Sequence, residues 1–80
     1  MTTMNDDIRK EITKTMDQLR QLRDEAKVKI HLASMDAKQA WDQLEPKIDE
    51  AEHAAGQATA KALEAVQHTT KKLRELVASL

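Results

Sequence analysis

Cysteine is absent from this chain, which excludes disulfide bridges and thiolate metal sites. Glycine and proline occur once each, as Gly56 and Pro46, so few positions are marked for a turn. Tyrosine and phenylalanine are missing and Trp41 is the only aromatic. A lone tryptophan anchors packing; a ligand platform would want company. No run approaches the ~20 apolar residues of a membrane span. The opening residues are polar and acidic, without the basic and apolar regions of a leader, so a cytoplasmic protein is the expectation. Net charge is also nearly absent: 13 basic against 14 acidic residues leave −1. Bulk attraction to nucleic acid or to an anionic membrane is therefore not expected.

What remains is rich in Ala, Leu, Lys, Glu, Gln and Asp, which are mostly helix formers. Charges of both signs and a regular apolar period argue against disorder. Stepping three or four residues at a time traces one stripe. It runs Ile8, Ile12, Thr15, Leu19, Leu22, Ala26, Ile30, Ala33, Ala37, Trp41, Leu44 and Ile48. It continues through Ala51, Ala55, Ala58, Ala62, Val66, Thr69, Leu73, Val77 and Leu80. The mean step is about 3.6 residues, the period of a straight α-helix, and no charge falls on the path. An eleven-residue phase inside it (Ile8, Leu19, Ile30, Trp41) favours straight or slightly right-handed packing. The expected core is Ile8, Ile12, Leu19, Leu22, Ile30, Trp41, Leu44, Ile48, Val66, Leu73 and Val77.

Local signals agree with helix. Thr3 followed by Asp6 fits an N-cap with an acid in the first turn. Lys71, Lys72 and Arg74 suit the negative end of a final helix. Asp6–Lys10 and Glu25–Lys29 are i,i+4 pairs.

The fold class is thus all-α: long amphipathic helices in one helical domain over 1–80. The first expectation is a helical hairpin or coiled coil with a turn near Pro46, helices at about 4–44 and 47–79, assembling into a bundle. A proline inside a helix costs roughly 3 kcal/mol unless it opens a new one. The second is one long helix kinked at Pro46 in an intermolecular coiled coil, since the stripe keeps its phase through Leu44 and Ile48. The third is a three-helix bundle in which Ser34 caps a helix starting at Met35 and Gly56 ends it. The alanine-rich stretch from Ala51 to Ala62 buries little area per residue and is expected to be the softest part of the fold.

No pattern points to catalysis, and a non-enzymatic protein without a cofactor is expected. Glu50 and His53 form a Glu-x-x-His, as in dimetal bundles, but such sites need two of these plus two further glutamates. With Ala51 facing the core, Glu50 lies about 100° and His53 about 160° away, largely toward solvent. His31, His53 and His68 are too far apart in sequence to chelate on one helix. The acidic residues Asp42, Glu45, Asp49, Glu50 and Glu52 lack the alternating ligands and central glycine of a calcium loop. The basic residues between Arg9 and Lys29 are interleaved with acids, unlike a duplex-binding region. Pairing between chains about residue 36 would set Arg20 near Glu52 and Arg23 near Asp49, a modest register cue.

One feature stands apart. Val28, Leu32 and Met35 lie about 140–200° around the helix from Ile30, opposite the stripe, and a hairpin alone covers only one side. They are the candidate interface. A chain of 80 residues without disulfides often needs a partner, so a homo-oligomer or a helical protein partner is expected, serving as scaffold, adaptor or regulator. The alternative is reversible binding of an amphipathic helix to lipid or another apolar interface, disfavoured by near-zero charge and a single aromatic.

Overall fold

The structure, a computed structural model, describes residues 4–80; the expected cap at Thr3 lies outside them. Three helices account for nearly all of it: α1 (Met4–Ile30), α2 (Met35–Ala55) and α3 (Ala60–Ser79). At 1.5 Å per residue α1 is about 40 Å long and α2 about 31 Å. Laid end to end they would far exceed the molecule's 49 × 17 × 14 Å extents, so the chain reverses between them. It reverses again into α3, because Leu44 lies near Leu76 while Ala54 lies near Ala65. Two reversals leave α1 and α3 parallel, with α2 antiparallel to both. The α1–α3 contact is the most extensive and α1–α2 the least.

The architecture is therefore an all-α bundle, with turns at 31–34 and 56–59 and none at Pro46, which lies inside α2. The helices expected at 4–44 and 47–79 are replaced by three shorter ones, for identifiable reasons. The Ser34 hydroxyl accepts from the Ala37 N–H at 3.2 Å, and the Thr59 hydroxyl from the Ala62 N–H at 3.1 Å. Each cap satisfies an orphan donor and is worth about 1 kcal/mol. Pro46 sits on the exposed side of α2, where the Asp42 carbonyl that loses its donor remains open to water. The second turn falls within the alanine-rich stretch, and Ala58 there takes a left-handed conformation with φ of 52°.

Folding twice lets one chain bury its own stripe. Every residue of that path is buried or half-buried. Leu19, Ile48, Leu73 and Val66 are the largest fully buried side chains. Burying each is worth about 1.5–3 kcal/mol. Ile12, Trp41, Leu44 and Val77 join them, while Ile8, Leu22 and Ile30 pack half-buried against the core. Met16, Thr70 and Leu76 are buried beside the stripe rather than on it. They widen the buried face as a helix packed among two neighbours requires. Thr15 and Thr70 are satisfied locally, each hydroxyl donating to the carbonyl four residues back at 2.7 Å. Asp6 and Asp7 occupy the first turn of α1, and Lys27 and Lys29 its last. The last turn of α3 carries no cation, so Lys71, Lys72 and Arg74 lie further in than the sequence reading placed them.

Candidate functional site

The corner joining α1 to α2 is the part of the molecule whose surface differs from its chemistry elsewhere. The Leu32 N–H donates to the Lys29 carbonyl and the Ala33 N–H to that of Ile30, so α1 tightens by one further turn before Ser34 starts α2. Ile30, Ala33 and Ala37 are turned inward, half-buried. Val28, Leu32 and Met35 are left outside, 74, 96 and 71 % exposed. They are the exposed large hydrophobic residues of the described chain. Val28 belongs to the end of α1, Leu32 to the turn and Met35 to the start of α2. The turn interrupts the single helical succession that placed them on one face, and they occupy a corner instead. Around them lie Lys27, Lys38 and the Glu25–Lys29 ion pair at 3.2 Å.

Arg23 bonds through its guanidinium to the carboxylate of Glu52, tying α1 to α2. Side chains lean toward the N-terminus of their own helix, so on antiparallel helices these two lean toward each other. The attraction expected between chains is thus met within one chain, and with Glu52 rather than Asp49. The Arg23 Nε is buried without a hydrogen bond, 3.9 Å from the Asp24 carboxylate.

The remaining candidates are spread over the surface. Glu50 and His53 are exposed on α2 and border a shallow depression with Asp49, Ala54 and Gln57. His31 is exposed in the first turn and His68 on α3. Among the described residues no three His, Asp or Glu side chains gather as a metal-ligand set. No helix there is long and apolar enough to cross a membrane. The groove between α1 and α3 is of another kind: Lys14, Lys71 and Arg74 converge on it, with Thr15 and Thr70 in its floor and Glu11 at its edge. Sequence reasoning passed over it because its two walls are about 56 residues apart in the chain. Comparison with family models, curated proteins and solved structures finds no match for this chain.

Proposed function

We propose that this chain is a non-enzymatic, cytoplasmic helical scaffold or adaptor that associates with copies of itself through the corner formed by Val28, Leu32 and Met35. The observation that carries this reading is the exposure of three large apolar side chains within eight residues about one turn, the exposed large hydrophobic residues of the described chain. The stripe needs no partner, because two turns bury it within one molecule. The pressure toward association therefore rests on the corner and no longer on chain length. Its three side chains present on the order of 400 Å², within the range of the largest apolar patch on an ordinary monomer, which is often functional. Covering them removes apolar surface from water at about 25 cal/mol per Å².

Leu32→Glu tests this. A charge placed in the contact is expected to weaken association by at least about tenfold, seen as a smaller species by sedimentation whose helical content is unchanged. Ala60→Glu, exposed at the opposite end of the molecule, is the control and leaves the mass unaltered. An unaltered mass for Leu32→Glu overturns the proposal. A monomer that binds apolar vesicles through the same corner replaces the second copy with a lipid surface.

A further inference from the structure

The net charge of −1 conceals a division between helices. α2 carries six acidic against two basic residues, a net of −4, whereas α1 and α3 together carry eleven basic against eight acidic, a net of +3. In sequence the acidic residues of α2 form one group, and those of α1 are interleaved with cations. The two turns set that group against a groove formed by the other two helices. Asp42, Glu45, Asp49 and Glu50 are exposed on α2, away from its buried Trp41, Leu44, Ile48 and Ala51. Pro46 stands among them and has no N–H to give the Asp42 carbonyl. On the other side, the α1–α3 groove encloses about 290 Å³ and includes no residue of α2, so it opens away from that helix. Among the described residues, none of the groove cations Lys14, Lys71 and Arg74 and none of the four α2 carboxylates is in an ion pair. α2 thus carries the negative excess of the molecule, and α1 with α3 the positive one.

We propose that the outer face of α2 seats in the α1–α3 groove of a second copy of this chain. The fit is one of charge: a helix with a negative excess (the ridge) against a groove where three cations meet (the furrow), both along the molecule's long axis. The two surfaces differ, so the contact is heterologous. Each molecule that donates its ridge still offers its furrow, and association runs on beyond a dimer. The contacting charges are exposed, and pairs of that kind are weak and salt-screened. The assembly is therefore reversible and governed by ionic strength. This inference rests on the self-association proposed above, but not on the corner.

Sedimentation of the full chain at about 0.02 M and about 0.5 M salt, across a concentration series, tests it. The expected result is mass that grows past a dimer at low salt and an association constant at least about tenfold lower at high salt, where charges a few ångströms apart are already screened. Two double variants on exposed positions follow: Lys14→Glu with Arg74→Glu reverses the furrow, and Asp42→Lys with Asp49→Lys reverses the ridge. Each alone should lose the salt-sensitive association while keeping its helical circular dichroism. Mixed in equal amounts they should regain it, because each then supplies the charge the other lacks. A variant that fails to fold would show in the dichroism, and single Arg74→Gln and Asp49→Asn forms would then give the partial losses. Wild-type mass that ignores both salt and these variants overturns the inference. If the surviving mass is lost in Leu32→Glu, the corner stands without the ridge and furrow. If Leu32→Glu removes nothing while the double variants do, the ridge and furrow stand without the corner. A salt-sensitive monomer whose furrow instead takes up heparin would place a polyanion where a second copy is proposed, and overturns it as well.

Discussion

At the scale of single residues, the second turn is built from the wrong pair of small residues. Gly56 adopts φ −69°, ψ −16°, an ordinary helical conformation that any residue takes up. Ala58, two positions on, sits at φ 52°, where a Cβ crowds the following carbonyl at about 1–2 kcal/mol. The conformational freedom of glycine is therefore placed where it is not used. A Cβ built on Gly56 would meet the His53 carbonyl oxygen at 3.5 Å, ordinary contact. Gly56→Ala is expected to stabilise the fold by about 0.4–1 kcal/mol through the unfolded chain. Ala58→Gly should stabilise it by up to about 1 kcal/mol, relief of strain outweighing the added entropy of glycine. Denaturant titration of the two variants checks both. A loss of stability in Ala58→Gly would mean that the left-handed turn is not populated in solution.

At the scale of the element, α2 shows how far sequence could reach. Periodicity marked the whole stripe, because burial needs one apolar face every 3.6 residues whether the helix is long or cut into three. For the same reason periodicity could not say where the cuts fall: Ala33 and Ala37 stay in phase across the first turn, and Ala55 and Ala58 across the second. Ser34 and Gly56 were legible as ends of a middle helix, yet Pro46 carried the louder signal. It proved tolerable because it lies on the solvent side of α2, where the Asp42 carbonyl can bond to water. The corner residues were legible as apolar side chains off the stripe; the furrow was not, because its walls meet only once the turns are known. Proline in a helix interior is about 3 kcal/mol less favourable than alanine. Pro46→Ala should therefore raise stability by up to about that amount and increase helical dichroism slightly. A proline that formed a turn would give no such gain, so an unchanged or lower midpoint in urea would return the turn to residue 46.

At the scale of the whole molecule, the parity of the turns fixes where the start of α1 and the end of α3 lie. One reversal at Pro46 would bring the two ends of the chain to one end of a hairpin. Two reversals send the start of α1 and the end of α3 to opposite ends, because α1 starts far from the α1–α2 corner and the parallel α3 finishes near it. The packing, in which α1 lies chiefly against α3 and touches α2 least, leaves the acidic residues of α2 away from the α1–α3 furrow. A single distance tests the connectivity. Lys10 and Ala78 are exposed, and the absence of native cysteine allows Lys10→Cys with Ala78→Cys to be labelled uniquely. From Lys10 to the corner is about 30 Å along α1, at 1.5 Å per residue, and Ala78 lies near that corner one helix away. Labelled chains diluted into unlabelled ones should therefore show a spin or fluorophore separation of about 30 Å. A hairpin closing at Pro46 would give roughly 12–15 Å, and an uninterrupted helix about 100 Å. The short distance would merge the ends and remove the furrow; the long one would leave the stripe uncovered in a lone chain and make association obligatory. Only the intermediate value is compatible with a molecule that buries its own core and keeps its corner and its charged sides for a second copy.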